Sequence, residues 1–191
     1  MPMTGELFIV SGPSGAGKGT LLAKVLPELD DIALTVSATT RKPRKGEREG
    51  TEYYFLSEKE FIDLIESGGF LEWARVHSAY YGTLKSEVER HRQAGQDVVL
   101  EIDTQGAAQV RAQDPSAVLV FIAPPDLKTL QQRLVGRDSD HPQEIARRLE
   151  TAQREMERIP DYDFVVVNDD LDAAAAQLLQ FIQAKRDTVS N

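Results

Sequence analysis

The chain has 191 residues, and its 31 acidic and 22 basic side chains give a formal net charge of −9. With 41% hydrophobic and 28% charged residues, it has the composition of a globular domain, which excludes a fibrous or largely disordered chain. The acidic balance argues against nucleic-acid polymers and anionic membrane surfaces as partners, because both bind basic faces. No cysteine, signal peptide or apolar span of about 20 residues occurs, so we expect a cytoplasmic protein without disulfides or thiolate metal sites.

Short apolar runs that alternate with helical patterns predict an α/β core. The runs that have the continuous apolar character of buried parallel strands are 7–10, 98–102, 117–122 and 164–167. Helical patterns follow them at 18–26, 104–113, 126–135 and 171–185. A further helix is predicted at about 142–159, with Asp140 as its candidate N-cap and Pro160 just beyond its end. This alternation predicts a parallel sheet with helices on both faces.

The segment at about 35–95 interrupts the alternation and predicts a mixed α+β insert. Short strands are expected at 35–38, 53–56, 70–76 and 80–84. Ser57 and Glu60 have capping-box spacing at the start of a predicted helix, 58–67. Ser86 and Glu89 repeat this spacing at a helix predicted at about 87–94. A second, smaller insertion, rich in Arg and Asp, is expected at about 133–148.

The strongest local signal is a glycine-rich loop between the first predicted strand and helix, Gly12-Pro13-Ser14-Gly15-Ala16-Gly17-Lys18-Gly19-Thr20. Glycines let backbone N–H groups turn toward phosphate oxygens, the helix start adds a partial positive charge, and Lys18 adds a full charge. Such loops usually have Ser or Thr directly after the lysine to bind Mg²⁺, whereas Gly19 stands there in this chain and Thr20 follows. The alternative is a glycine-rich turn that binds no ligand.

Residues 37–50 form a basic segment within an acidic chain, with five basic and two acidic side chains and a net charge of +3. Arg41 and Arg44 flank Pro43, and two guanidinium groups at this spacing are able to hold one terminal phosphate. The hydroxyls of Tyr53 and Tyr81, in the same predicted insert, are able to donate to that phosphate. The alternative is a solvated basic loop.

A series of motifs, in order along the chain, resembles the guanylate kinases, which phosphorylate GMP with ATP. Besides the glycine-rich loop, they are Ser-x-Thr-Thr-Arg-x-Pro-Arg-x-Gly-Glu from Ser37, Phe-Leu-Glu-Trp-Ala from Phe70, Tyr-Tyr-Gly-Thr from Tyr80, Glu-Ile-Asp-Thr-Gln-Gly from Glu101, Phe-Ile-Ala-Pro-Pro from Phe121 and Val-Asn-Asp-Asp-Leu from Val167. The resemblance extends from about residue 7 to residue 185.

The resemblance implies a single guanylate-kinase-like domain over residues 1–191. Its parts would be a P-loop core of three α/β/α layers with a parallel sheet (1–34 and 96–191), a mixed α+β insert that binds GMP (about 35–95) and a small lid (about 133–148). The implied reaction is the ATP-dependent phosphorylation of GMP, and of dGMP, in purine nucleotide metabolism and GMP recycling. The oligomeric state is left open.

The resemblance also implies which residues bind each nucleotide. Those for ATP are Gly12, Pro13, Ser14, Gly15, Ala16, Gly17, Lys18, Gly19, Thr20, Arg133, Arg137 and Asn168. Those for GMP are Ser37, Arg41, Arg44, Tyr53, Glu72, Tyr81, Gly82, Thr83, Glu101 and Asp103. The catalytic residues are Lys18, Arg41, Arg137, Arg148 and Asp103. The implied cofactor is Mg²⁺, held mainly by nucleotide phosphates and water, with Asp103 or Thr20 as a candidate protein ligand.

Two carboxylates have chemistry that supports these roles independently. Guanine presents N1–H and N2–H₂ side by side, and the Glu72 carboxylate would accept both, whereas adenine presents an acceptor at N1. Asp103 follows the predicted strand 98–102 at the sheet edge where α/β proteins bind ligands, and its oxygens suit Mg²⁺ or its waters. The alternatives are a surface strand carboxylate at Glu72 and a helix N-cap at Asp103.

The predicted reaction needs neither a protein nucleophile nor a strong general base, because the attacking oxygen belongs to a phosphate that is already anionic. Catalysis is then expected to come from positioning and charge neutralisation. One competing hypothesis is a non-catalytic guanylate-kinase-like module that binds protein partners, and another is a kinase of the same fold for a different phosphorylated acceptor. His77, His91 and His141 lack metal-ligand spacing.

Overall fold

The computed structural model describes residues 5–76, 78–135 and 142–189 of the chain. Within these residues, five strands form one sheet: β1 (Leu7–Ser11), β2 (Ile32–Leu34), β7 (Asp97–Glu101), β8 (Val118–Ala123) and β9 (Phe164–Val167). The strand order is β2-β7-β1-β8-β9, and β2 with β7 and β8 with β9 pair in parallel. Every residue of β1 and β8 is buried, as expected for strands covered on both faces. The predicted α/β class with a parallel sheet is confirmed.

The sequence analysis missed strand β2. This strand has three residues, whose side chains are half-buried or exposed, so no continuous apolar run marks it. It lies at the edge of the sheet, where Ala33 is opposite Val98 of β7. A short edge strand depends on its neighbour for its backbone partners, and this dependence is not visible in a local pattern.

Helices accompany the sheet: α1 (Lys18–Val25), α4 (Thr104–Gln113), α5 (Leu127–Val135), α6 (Pro142–Met156) and α7 (Leu171–Val189). All five were predicted, and the predicted bounds of α4 coincide with the observed ones. Helix α6 ends earlier than predicted, because Ile159–Asp161 forms a separate 3₁₀ turn with Pro160 near its start. The predicted cap Asp140 lies outside the described residues. Among those that are described, no helix is long and apolar enough to cross a membrane.

The segment at 35–95 forms a second, mixed sheet. Its strands are β3 (Ala38–Thr39), β4 (Tyr54–Phe55), β5 (Phe70–Val76) and β6 (Ala79–Leu84), in the order β4-β3-β6-β5. The strand expected at 35–38 is wrong in its bounds, because pairing begins at Ala38, which is opposite both Tyr54 and Gly82. Helices α2 (Glu58–Glu66) and α3 (Lys85–Gln93) complete the segment. Phe61 of α2 stacks on Phe70, with ring centroids 4.2 Å apart, and both rings belong to the hydrophobic core of this segment.

The two predicted capping boxes have different outcomes. The Ser57 hydroxyl accepts from the Glu60 N–H at 3.2 Å, and the Glu60 carboxylate accepts from the Ser57 N–H at 2.7 Å, so the first box is confirmed. The cap predicted at Ser86 is wrong, because α3 already begins at Lys85 and its N-cap is the apolar Leu84. Strand β6 runs directly into this helix, and the N–H of Lys85 donates to the Gly69 carbonyl at 2.9 Å.

Residue contacts divide the chain into two units. Among the described residues, unit 1 holds those up to Phe8 and those within 31–100 and 105–117, and unit 2 holds those within 9–30 and 101–104 and those from Val118 onward. The described residues predicted to bind ATP all lie in unit 2. Those predicted to bind GMP lie in unit 1, apart from Glu101 and Asp103. The boundaries proposed for the core, the insert and the lid stay predictions.

Candidate active site

The glycine-rich loop connects β1 to α1 in unit 2. Gly12, Gly15 and Gly17 have positive φ angles of 144°, 87° and 89°. Gly17 is the N-cap of α1, and a Cβ at this position would lie 2.5 Å from Nδ2 of Asn168. A side chain therefore cannot be added to Gly17 without strain and displacement of Asn168. Gly17 supplies no side-chain cap to the first N–H groups of α1, and a helix start of this kind suits an anionic ligand.

Lys18 is the first residue of α1, and its side chain folds back along the loop. Its Nζ atom donates to the carbonyl oxygen of Gly12 at 2.5 Å and to that of Pro13 at 3.2 Å. Both acceptors are carbonyl oxygens of the loop, so the loop backbone holds the ammonium group beside the start of α1.

A cavity of about 360 Å³ adjoins the loop in unit 2. It is lined by Gly15, Gly17, Thr20, Arg133, Asn168, Asp169 and Leu171. The buried Asn168 donates from Nδ2 to the carbonyl of Ala16 at 2.8 Å. Arg133 donates from Nη2 to the carbonyl of Asn168 at 2.9 Å. The structure therefore brings Thr20, Arg133 and Asn168, which were predicted to bind ATP, to one cavity.

Two predicted carboxylates lie at and just beyond the C-terminal end of β7, also in unit 2. Glu101 is next to the loop, because a Cβ built on Gly19 would lie 3.4 Å from its carboxylate. Asp103 is exposed and directly precedes α4. Carboxylate oxygens are ligands that suit Mg²⁺. In the part of the chain that the structure describes, no group of three or more His, Asp or Glu side chains forms a metal site by itself.

Glu155 of α6 is an acidic residue of this site that the sequence analysis missed. Burial raises the pKa of its carboxyl to about 7, Lys18 opposes this shift, and Asp103 adds to it. The charge of Glu155 therefore interacts with two predicted catalytic residues. Glu155 lies about two helical turns after Arg148, on the same face of α6. That spacing from a predicted catalytic arginine is the signal that would have identified it.

Arg41 and Glu47 form an ion pair with two hydrogen bonds in unit 1, each 2.9 Å long. Glu47 also accepts from the backbone N–H of Arg44 at 2.7 Å. The hydrogen bonds from Arg41 and then from Arg44 hold the pKa of the Glu47 carboxyl below its ordinary value. The Arg41 guanidinium lies 5.2 Å from the centre of the Tyr53 ring, which lies 6.0 Å from that of Tyr81. The structure thus brings Arg41, Tyr53 and Tyr81 together, whereas Arg44 is exposed.

Glu72 and Thr83 form a buried pair in the second sheet. They are opposite each other in the β5–β6 pairing, and Oγ1 of Thr83 donates to Oε1 of Glu72 at 2.7 Å. Their exposed fractions are 6% and 0%, so the alternative of a surface carboxylate is wrong. A Cβ on Gly82 would lie 2.7 Å from the carbonyl oxygen of Glu72, so this close approach of the strands requires glycine. Ser37 directly precedes β3 and is half-buried.

The structure shows little about the surroundings of two arginines that were predicted to be catalytic. Arg137, predicted for ATP binding and catalysis, lies outside the described residues, as do residues 136–141 of the expected lid. Arg148 lies on α6 and is half-buried. The roles of all these site residues stay predictions.

Similarity to known proteins identifies the family. A guanylate kinase family model matches residues 4–185. The chain belongs to the guanylate kinase family. Guanylate kinases of Clostridioides difficile (strain 630) and Syntrophomonas wolfei are 44% and 46% identical to it; the matches cover 97% and 100% of this chain, and 91% and 98% of theirs. The solved guanylate kinase of Anaplasma phagocytophilum is 31% identical, with a TM-score of 0.75 over 96% of this chain and 87% of that one. The resemblance inferred from the guanylate kinase motifs is confirmed.

Proposed function

We propose that the chain is an ATP:GMP phosphotransferase, which converts ATP and GMP, or dGMP, into ADP and GDP, or dGDP. The family match over residues 4–185 supports the reaction. The observation that carries the choice of acceptor is the buried Glu72 carboxylate, one oxygen of which accepts from Thr83. A carboxylate has enough lone pairs to accept from two guanine donors as well.

The donor nucleotide binds in unit 2 in this proposal. The loop N–H groups and Lys18 bind the β- and γ-phosphates, since α1 begins at the loop without a side-chain cap and the Lys18 ammonium group lies against the loop backbone. The cavity lined by Arg133 and Asn168 receives the rest of ATP. Arg133 and Asn168 are polar groups of its lining, and Gly15 and Gly17 of the loop line it too, which supports this placement.

Mg²⁺ is the proposed cofactor, and the oxygen atoms near the loop are ligands that suit it. Thr20, which has a hydroxyl group, lines the cavity, and Asp103 supplies carboxylate oxygens. With glycine at position 19, phosphate oxygens and water would supply the other ligands. When bound, the ion neutralises charge on the transferring phosphate.

The acceptor nucleotide binds in unit 1. Arg41, with the hydroxyls of Tyr53 and Tyr81, holds the phosphate of GMP, and the nearby Arg44 adds a second guanidinium. Glu72 reads guanine, assisted by the hydroxyls of Thr83 and Ser37. Adenine would place its N1 lone pair against the Glu72 carboxylate, and this mismatch rejects AMP.

Catalysis in this proposal is alignment and charge neutralisation. A phosphate oxygen of GMP attacks the γ-phosphorus while the bond to the bridging oxygen of ADP breaks, so no proton needs to be removed by the protein. The catalytic cations are Lys18, Arg41, Arg137 and Arg148. Their charges stabilise the transferring phosphoryl group, and Asp103 orients the phosphates or the water around them. We place the reaction in the cytoplasm, because its substrates are cytoplasmic nucleotides.

Acceptor competition tests the proposal. We expect ADP and GDP to form with GMP, ADP and dGDP to form with dGMP, and kcat/KM to be lower by about 100-fold or more with AMP or CMP. A folded protein that releases no ADP with any acceptor, at high protein concentration, would favour a protein-binding module. Equal use of AMP would overturn the role of Glu72 and favour another acceptor.

A further inference from the structure

Strand β5 is an edge strand whose outer backbone groups bind side chains of α4. In the order β4-β3-β6-β5, one side of β5 pairs with β6, and its other side needs partners from elsewhere. Gln109 accepts from the N–H of Trp73 at 3.2 Å through Oε1 and donates to the carbonyl of Trp73 at 3.0 Å through Nε2. Gln113 donates from Nε2 to the carbonyl of Leu71 at 2.7 Å. The amide of Gln109 thus takes the place of a neighbouring strand's peptide group.

These bonds lie on both sides of Glu72. Backbone groups of successive residues in a strand point in opposite directions, so those of residues 71 and 73 share the outer side. Glu72 itself is opposite Thr83 of β6, and both lie in unit 1 with α4. The two glutamines therefore hold the backbone immediately before and after the carboxylate.

The residue held by Gln113 is part of a β-bulge. Phe70 is opposite Leu84 and Glu72 is opposite Thr83, so Leu71 is the extra residue of β5. A bulge bends the strand and redirects the side chains beside it, at the cost of a ladder hydrogen bond. By binding the carbonyl of Leu71, Gln113 stabilises the bulge that directs Glu72.

We propose that Gln109 and Gln113 are positioning residues for guanine recognition, which fix the backbone of β5 on both sides of Glu72. This inference rests on the proposed role of Glu72. A carboxylate that binds two adjacent donors must hold both oxygens within hydrogen-bond distance, so a shift of about 0.5 Å in the strand weakens both bonds. Loss of the hydrogen bonds made by these glutamine side chains should therefore weaken the binding of GMP more than the binding of ATP.

The variants are chosen to separate positioning from folding. Gln109→Ala and Gln113→Ala remove the amides singly and together. Gln109→Glu has nearly the same shape and keeps an acceptor for the N–H of Trp73, but it places a carboxylate against the Trp73 carbonyl. Gln180→Ala makes the same change on an exposed face of α7 and controls for the higher helix propensity of alanine.

The measurements are KM and kcat with GMP, with inosine monophosphate, and with ATP as the varied substrate. Inosine monophosphate lacks the 2-amino group, so the ratio of kcat/KM for the two acceptors reports the alignment of Glu72. Trp73 is the only tryptophan, and its fluorescence during GMP titration gives the Kd directly. We expect each Ala variant to raise KM for GMP roughly threefold to tenfold, and the double variant to raise it further. The GMP preference should fall, while KM for ATP and the Gln180→Ala control stay unchanged.

Glu72→Gln separates failure of the inference from failure of the proposed function. If this variant keeps the GMP preference, the role of Glu72 fails and the inference fails with it. If Glu72→Gln loses the preference but the Gln109/Gln113 double variant keeps it, only the positioning role is overturned. The positioning role is also overturned if the double variant raises KM for both nucleotides equally and melts at a lower temperature. If an Ala variant does not fold, Gln109→Glu provides the same comparison.

Discussion

The proposed phosphate loop and the proposed guanine site of this chain are built in different ways. The loop uses consecutive residues between β1 and α1, and the binding groups proposed for it are backbone N–H donors and one lysine, which loop carbonyls hold. The proposed guanine site pairs Glu72 with Thr83, which is 11 positions away. Glutamines that are 36 and 42 positions from their partners then hold its strand.

This difference determines how each site fails when it is altered. A local backbone site depends on a few φ angles and on the space that glycine leaves. A site of paired strands depends on register, on a bulge and on distant side chains. Substitutions in the loop should therefore act on binding and stability directly, whereas substitutions around Glu72 should act on specificity.

Replacement of Lys18 is expected to have the largest effect. Lys18→Met keeps a side chain of similar length but removes the charge at the transferring phosphate. We expect kcat to fall on the order of 10³-fold, because removal of a single transition-state donor already costs about 10²-fold to 10³-fold. Lys24→Met, on the same helix, is the matched control, since Lys24 forms an exposed ion pair with Asp172. A Lys18→Met protein with more than a tenth of normal kcat would show that the backbone of the loop suffices.

Glu155 tests whether the loop site is really independent of distant side chains. Its folded-state pKa of about 7 exceeds the ordinary value of 4.5, so the wild-type protein loses stability relative to Glu155→Gln as pH rises from about 4.5 to above 7. The variant should match the wild type near pH 4.5 and be more stable at pH 8, by at most about 3 kcal/mol.

Urea unfolding of the nucleotide-free protein at both pH values measures the Glu155 effect. Glu157→Gln, the same change at an exposed position just after α6, is the matched control. An equal stability difference at pH 4.5 and pH 8 would contradict a raised pKa. A lower kcat in Glu155→Gln would instead show that the loop site, like the guanine site, depends on a side chain that is distant in the sequence.

The same contrast explains what could be predicted from the sequence. The loop and its flanking strand and helix were predicted because phosphate binding needs glycines and a lysine in consecutive positions. Glu155 and Gln109 were missed, because a lone carboxylate or amide on a helix has no local signature, and its partners are set by tertiary packing. The cap at Ser86 was wrong for a related reason, since β6 runs directly into α3 and Leu84 takes the N-cap position.

Gly17→Ala should destabilise the protein by a smaller amount, about 2 kcal/mol. The new Cβ requires an unfavourable positive φ, which costs about 1 kcal/mol or more, and it would meet Nδ2 of Asn168 at 2.5 Å. Asn168→Ala removes that atom, so the double variant should be more stable than the sum of the single effects predicts. Denaturant unfolding of all four proteins measures this coupling. Additive effects would show that the loop avoids Asn168 by shifting its backbone.

Substitution of Glu47 should have the smallest effect, and its sign decides how the acceptor phosphate site is built. Glu47 neutralises Arg41, so GMP must share that guanidinium with a carboxylate. Glu47→Gln removes this competing charge, and we expect the Kd for GMP to fall twofold to fivefold, with the difference shrinking as salt is added. Glu66→Gln, an exposed change of the same charge on α2, is the control. A rise in Kd would mean that Glu47 orients Arg41 for the phosphate. The acceptor phosphate would then be bound, like guanine, by a side chain that depends on a second side chain, and only the donor phosphates would rely on the backbone.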